Sequence, residues 1–312
     1  MRNIIIDCDP GHDDAIAILM ALANKDKLNI LGITTVGGNQ LLDKVTNNTL
    51  KILSFLDEDI PVAAGEAYPL TREIHTGADA HGVSGMDGPV LPEPKYSIVD
   101  THAVRFMYEK IKDSKEKVTL VPIGPLTNIA LLLRSFPEIK EKIDLICLMG
   151  GGIYTGNRTS SAEFNIYVDP EAAKIVFNSG IDIVMAGLDV TNKAMIMEDE
   201  RKELKAKGKV SNFVAELLDF YSIASKKFGF EGSPLHDPCA IGYLLRPDLF
   251  EGKKYHVDIE TQGDITRGMT LADIRPAPAK EPNVFVLLDI NRKEFVEYMC
   301  DCLAKLDDIY SK

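Results

Sequence analysis

The chain lacks a basic surplus. Its 35 Lys and Arg face 47 Asp and Glu, a formal charge of −12 at pH 7. No Lys/Arg stripe offsets that excess, so a surface built to neutralise phosphate backbones or anionic lipid is excluded, and with it nucleic acid and membranes as partners. Cysteine is scarce and unpatterned. Cys8, Cys147, Cys239, Cys300 and Cys302 are odd in number and contain no CxxC pair, which removes a zinc site and a disulfide framework. Buried free thiols suit a reducing cytoplasm, the expected location. No apolar run approaches membrane-spanning length, and the first residues show none of the marks of a signal peptide. Phosphate-cradling loops are missing as well: Gly150-Gly151-Gly152 lacks the spacing of a dinucleotide fingerprint, and no Walker lysine motif occurs.

What remains is an ordinary globular composition, 45% hydrophobic and 26% charged over 312 residues, enough for a large core. Short β-branched runs predict strands at residues 3–7, 30–36, 61–63, 117–122, 143–149, 181–185, 255–260 and 284–288. Amphipathic stretches predict helices at 13–23, 40–56, 101–112, 126–134, 170–179, 198–206, 210–227, after His236, and at 292–303. Repeated βα units imply an α/β fold: an open, mainly parallel sheet with helices on both faces. No linker or repeat divides it, so residues 1–312 read as a single domain. Residues 65–100 follow no periodicity, carry many Gly and Pro, and include His75 and His81; such a loop in a compact domain is functional or mobile.

Open parallel sheets gather ligand chemistry beyond the carboxyl ends of their strands. Asp7 to Asp14, Gly37-Gly38-Asn39, Ile123-Gly124-Pro125 and Gly150-Gly151-Gly152 all fall there. Within Asp7-Cys8-Asp9-Pro10-Gly11-His12-Asp13-Asp14, four carboxylates in eight residues repel one another unless a cation screens them. A helix N-terminus welcomes Asp13 and Asp14 but leaves Asp7 and Asp9 unexplained, which favours a metal site. Carboxylate-only chemistry selects a hard ion, and Ca²⁺ tolerates more oxygens and looser geometry than Mg²⁺. Downstream, His236-Asp237-Pro238 sets an imidazole beside a carboxylate at a helix start, where Asp237 is an N-cap, a metal ligand, or both. The loop 156–166 mixes Asn157, Glu163, Phe164 and Asn165, groups that suit sugar hydroxyls and also serve as routine turn residues.

Together, Asp7-x-Asp9-Pro10-Gly11-x-Asp13-Asp14, Gly124-Pro125-Leu126-Thr127-Asn128, Met149-Gly150-Gly151, Glu163-Phe164-Asn165 and His236-Asp237 resemble, in order, the motifs of inosine-uridine preferring nucleoside hydrolases. The resemblance runs from the first strand to the closing helices. It implies a nucleoside hydrolase fold with a Rossmann-like core. The implied activity, in nucleoside salvage, is calcium-dependent cleavage of the N-glycosidic bond of ribonucleosides to ribose and free base. It also implies that Asp9, Asp14, Asp237 and the backbone carbonyl of Ile123, where the family often has Thr, hold Ca²⁺. The ribose 2′- and 3′-hydroxyls and one water would complete the shell.

By the same carry-over Asp13, Asn39, Asn157, Glu163 and Asn165 hydrogen-bond the sugar, Met149 and Phe164 pack near it, and Asp7 supports the loop. Departure of the base leaves an oxocarbenium-like ribose, so the reaction needs a water, charge stabilisation and a proton for the base. Asp9 is the proton acceptor for the water and His236 the candidate acid. His81 is either near base and sugar or a solvated loop residue; Tyr221, Phe228 and Phe230 flank the base or belong to the core. Purine-specific relatives stack the base on tryptophan, and this chain has none. A pyrimidine-preferring or non-specific enzyme is expected, acting on uridine, cytidine or inosine as a homotetramer or dimer. Two rival readings stay open: a non-catalytic nucleoside or sugar sensor, and a phosphohydrolase built on Asp7 and Asp9.

Overall fold

In the computed structural model, which describes residues 1–310, Ile4, Ile5 and Ile6 are all fully buried. Ile4 and Ile6 join one apolar cluster and Ile5 the other. A strand wanted by a core on each face belongs in the middle of a parallel sheet, and that is its position. The strand order is Val62–Ala64, Leu28–Thr35, Arg2–Cys8, Val118–Pro122, Ile143–Met149, Ile183–Ala186, Val284–Ile290 and Phe250–Tyr255. Every pairing is parallel except the last, where Phe250–Tyr255 runs antiparallel to Val284–Ile290.

One layer of helices, including His12–Ala23, Lys209–Lys227, Pro238–Leu245 and Arg292–Tyr310, covers the face of Ile4 and Ile6. The other layer, including Ala103–Asp113, Thr127–Ser135 and Pro170–Phe177, covers the face of Ile5. The fold is therefore α/β with an open, mainly parallel sheet between two helical layers. The strand order reverses at Arg2–Cys8: the chain first builds outward to Val62–Ala64, then returns to the opposite side at Val118–Pro122. Connections leave this point in opposite directions and open a crevice beyond Cys8 and Pro122. Helix Lys209–Lys227, which brings Tyr221 to the crevice, is fixed at its start by the buried Asp307 carboxylate. Asp307 accepts hydrogen bonds from the backbone N–H groups of Val210 and Ser211.

The strand expected at residues 255–260 is two elements. Phe250–Tyr255 is the edge of the main sheet, while Val257–Ile259 leaves it and pairs with Thr270–Ala272 in a separate ribbon. Val257 and Ile259 continue the period-two alternation but bury against the helix face containing Val176 and Phe177. Residues 65–100 are irregular apart from the single-turn helix Ala78–His81. The loop expected at 156–166 closes sooner, into helix Phe164–Val168. No helix among the described residues is long and apolar enough to cross a membrane.

Candidate active site

The first strand ends by delivering Asp9, and the turn Pro10-Gly11 starts helix His12–Ala23 with Asp13 and Asp14 in its first turn. Asp14 organises that turn: one oxygen accepts the Asp9 N–H at 3.2 Å, the other accepts the Gly11 N–H at 2.9 Å and the Asn39 side-chain amide at 3.1 Å. Asp9 Oδ2 accepts the Asn39 backbone N–H at 2.6 Å. Asp9 Oδ1 has no hydrogen-bond partner among the described residues, although the side chain is fully buried.

Asp237 arrives from the far end of the chain, at the N-cap of Pro238–Leu245. Its side chain makes no capping bond. It points instead to the first helix, where Asp13, Asp14 and Asp237 each offer an oxygen within 4.8 Å of the others. The cap reading of Asp237 therefore holds for its backbone position and not for its carboxylate.

Buried like charges must be neutralised by protons or by a cation. Burial, reinforced by the neighbouring carboxylates, pushes Asp9 and Asp237 well above the usual range. Burial and then the charge of Asp14 raise Asp13 to about 7, and burial raises Asp14 itself. The donor set is all oxygen, and the orphaned Asp9 Oδ1 is the kind of atom a cation would satisfy. These residues fit a hard divalent ion. The Ile123 carbonyl accepts the Asn165 side-chain amide at 2.9 Å and keeps a second lone pair for a ligand.

Above the cluster lies a cavity of about 390 Å³. Asp13, Asn39, His81, Ile123, Met149, Asn157, Glu163, Phe164, Asn165, His236 and Asp237 all line it, and so do Tyr221, Phe228 and Phe230. Asp9 and Asp14 sit beneath, behind Asn39. Asp7 is also outside the wall: its Oδ1 accepts from the Thr34 hydroxyl at 2.5 Å and from Asn128 Nδ2 at 2.8 Å, and burial raises its pKa to about 7. Asn128 in turn holds the Thr35 carbonyl and the Glu66 N–H, which explains a motif residue that never reaches the cavity.

Several polar groups at the wall already have duties. Glu163 caps helix Phe164–Val168 through the Asn165 and Ile166 N–H groups and accepts the Gly151 N–H at 2.9 Å; burial still lifts it to about 6. Asn157 Oδ1 accepts the Phe164 N–H at 2.9 Å. His236 Nδ1 lies 2.8 Å from the Thr191 hydroxyl, and burial draws the ring down to about 4, so it is neutral at pH 7. Sequence reasoning missed Asn192, Ser225 and the pair Arg158 and Asp79, whose charged groups lie 3.8 Å apart on the cavity wall. It also gave no role to His12, which is buried behind His81.

Two glycines leave room for the Asp9 carboxylate. A Cβ on Gly38 would stand 2.1 Å from Asp9 Oδ2, and one on Gly124 would stand 2.4 Å from Asp9 Oδ1. Gly124→Ala is expected to push the carboxylate off its position, lowering kcat by at least about tenfold and stability by about 1–3 kcal/mol. Steady-state kinetics and thermal melts check this, and unchanged kcat would remove the need for Asp9 to hold that position.

A buried carboxylate cluster under a polar cavity, at the switch point of a parallel sheet, is a site suited to a cation and a polar small molecule. The sequence profile described as inosine-uridine preferring nucleoside hydrolase matches residues 4–297. The pyrimidine-specific ribonucleoside hydrolase RihA of Shewanella baltica is 51% identical over 313 residues, covering 99% of this chain and 98% of that one. RihA of Escherichia coli is 50% identical over 304 residues, with 96% and 97% covered. A purine-preferring ribonucleoside hydrolase from Gardnerella vaginalis superposes with a TM-score of 0.92 at 31% identity, covering 99% of this chain and all of that one. The chain belongs to the inosine-uridine preferring nucleoside hydrolase family and is a ribonucleoside hydrolase.

Proposed function

We propose that the chain hydrolyses pyrimidine ribonucleosides, uridine and cytidine before inosine, in a calcium-dependent reaction serving nucleoside salvage. The observation that carries the metal requirement is the convergence of Asp9, Asp13, Asp14 and Asp237 with Asp9 Oδ1 left unpaired. The pyrimidine preference is supported by the absence of Trp and by the names of relatives at 50–51% identity. Ca²⁺ held by Asp9, Asp14, Asp237 and the Ile123 carbonyl would neutralise the cluster, bind the ribose diol and raise the acidity of water.

The protein's own groups do the rest. Asp13, Asn39, Asn157, Glu163 and Asn165 orient the ribose, with Met149 and Phe164 packed against it. Asp9 Oδ1 takes the proton of the attacking water. His236 meets the leaving base: with the Thr191 hydroxyl donating to Nδ1, the neutral ring presents its Nε2–H as a hydrogen-bond donor that stabilises charge developing on the base, while the base's net proton comes from solvent. His236→Ala is expected to lower kcat for uridine about a hundredfold. A riboside whose leaving group departs without a proton should be far less affected. Equal losses on both substrates would take His236 out of the leaving-group role.

The activity itself is tested by ribose release from a panel of ribonucleosides with Ca²⁺ present. Turnover of uridine and cytidine at background would sink the pyrimidine reading, and tight binding without turnover would favour a sensor. A phosphohydrolase lacks support, since no lysine lines the cavity among the described residues. Cytoplasmic location is supported by free, mostly buried cysteines. Family precedent supports a homotetramer or dimer, which light scattering reads directly.

A further inference from the structure

Asn192 lines the cavity and directly follows Thr191, whose hydroxyl lies 2.8 Å from His236 Nδ1. Its backbone is fixed from several sides. The single-turn helix Leu188–Thr191 is tied to the glycine turn of the wall by the Leu188 N–H, 2.8 Å from the Gly151 carbonyl. Asp189 accepts the N–H groups of Ile153 at 2.9 Å and Tyr154 at 3.1 Å. The Asn192 N–H closes the helix on the Leu188 carbonyl, and the Ala194 carbonyl accepts the N–H of Leu235, the residue before His236. Asn192 is therefore mounted between two segments that both reach the cavity, as a recognition residue needs to be.

Four asparagines line the cavity, and three have their amides engaged. Asn39 donates to Asp14, Asn157 accepts the Phe164 N–H, and Asn165 donates to the Ile123 carbonyl. Among the described residues no hydrogen bond reaches either end of the half-buried Asn192 amide. Its neighbours on the wall offer a base less. The Ser225 hydroxyl donates to the Tyr221 carbonyl at 3.0 Å, and Phe228 and Phe230 are apolar. The Tyr221 ring stacks on His81, and its hydroxyl belongs to the acidic side, pushed up by burial and then by the charges of Asp13 and Asp237. A largely apolar pocket selects a polar ring by a few placed polar groups, and a primary amide offers an acceptor and two donors in one plane.

We infer that Asn192 is a specificity-determining residue that hydrogen-bonds the N3 edge of the pyrimidine ring through its side-chain amide. Uracil presents N3–H beside a carbonyl; cytosine presents a bare N3 beside an amino group. The two patterns are inverse, and a half-turn of the amide matches either one. The unpartnered amide of Asn192 is free to make that turn, whereas those of Asn39 and Asn165 are held. One residue thus admits uridine and cytidine alike, which a carboxylate, having acceptors only, would not. The assignment rests on the pyrimidine ribonucleoside reading of the cavity. Asn192 also borders a shallower groove with Lys193 and Asp289, the competing place for its amide, where it would touch no base.

The test is a cycle of two enzymes and two substrates, measured at saturating Ca²⁺. Uridine and 3-methyluridine, in which a methyl group replaces the N3 proton, are compared on wild type and on Asn192→Leu, which keeps the bulk of the side chain without its polar atoms. Wild type is expected to favour uridine in kcat/KM by at least about tenfold. The variant should lose about tenfold on uridine and on cytidine, the weight of one net hydrogen bond, and little on 3-methyluridine, so the preference shrinks about tenfold. Equal losses on uridine and 3-methyluridine, the mark of a structural role, would overturn the assignment and leave the pyrimidine reading standing. So would an unchanged variant, the mark of an amide turned into the neighbouring groove. Background turnover of uridine by wild type would remove the pyrimidine reading and this assignment together. Asn192 has ordinary helical angles, φ −64° and ψ −18°, and its side chain holds nothing in the protein, so the variant should fold. Asn192→Ala runs the same cycle with a side chain that fits any neighbour.

Discussion

Asp9→Asn is expected to lower kcat by about 10²–10⁴ while leaving KM for uridine within about fivefold, the pattern of a lost proton acceptor. The geometry explains why folding should survive. The amide oxygen can take over the 2.6 Å bond from the Asn39 N–H, and the amide nitrogen then occupies the place of the unpaired Oδ1. No volume changes beside Gly38 and Gly124, the two positions where a Cβ would not fit. The substitution removes one negative charge from a cluster that burial already strains, so the fold is not its casualty. What is lost is Oδ1, the oxygen proposed both to touch the cation and to receive the proton of water, so the variant is assayed at saturating Ca²⁺ to isolate the second role. Asp7→Asn is the matched control: the same chemical change two residues earlier, on a group whose Oδ1 is already bonded to Thr34 and Asn128. It should alter kcat only a fewfold. Ribose release measured on both variants separates the two roles, and an Asp9→Asn enzyme with near-normal kcat would remove Asp9 from proton transfer.

The contrast between Asp7 and Asp9 marks how far the sequence was legible. Four acids in eight residues announce a charge problem, and the strand-turn-helix pattern around them puts the solution at the carboxyl edge of the sheet. The central strands and long helices were legible because each has a sustained period and a buried face. The elements that went unread are short. Ala78–His81, Phe164–Val168 and Leu188–Thr191 have four or five residues, too few to display a helical repeat, and they exist because Glu163 and distant packing hold them. Residues 255–260 alternate as one strand but serve two sheets, a division that only tertiary packing reveals.

Side-chain duties were harder still. Nothing local distinguishes an Asp237 that caps its helix from one that turns away from it, and the deciding partners, Asp13 and Asp14, lie more than two hundred residues upstream. His12 shows the same limit. Its neighbours His81, Asp87, Phe220 and Tyr221 are scattered along the chain, so its place in the motif reads as a blank.

Removing calcium with a chelator is expected to bring uridine hydrolysis to background, and its return should restore both activity and stability. Ligand at a hundredfold excess over its Kd stabilises a folded protein by about 2.7 kcal/mol, which for a chain of this size raises Tm by roughly 4 °C. The sign of a further change makes the cluster accountable. Burial and Asp14 hold the Asp13 carboxyl at about 7, above its ordinary range, so in the chelated protein its burial carries no ionisation penalty below that ordinary range. Stability is highest there, and the penalty grows progressively as pH rises to about 7. Neutralising one member should relieve part of that penalty. Asp237→Asn is the cleanest choice, since the Asp237 side chain caps nothing and the backbone of Pro238–Leu245 does not depend on it. At pH 7.5 the chelated variant is expected to melt at or above the chelated wild type. With calcium present the order inverts, because the wild type gains the ion and the variant has lost a ligand. A cluster that merely tolerates its charges gives no inversion: the variant would then melt below wild type in both conditions, or calcium would move neither. Mg²⁺ in place of Ca²⁺ completes the comparison, with a smaller gain in Tm expected because its near-octahedral demand suits a set of carboxylates fixed by helix and strand ends less well.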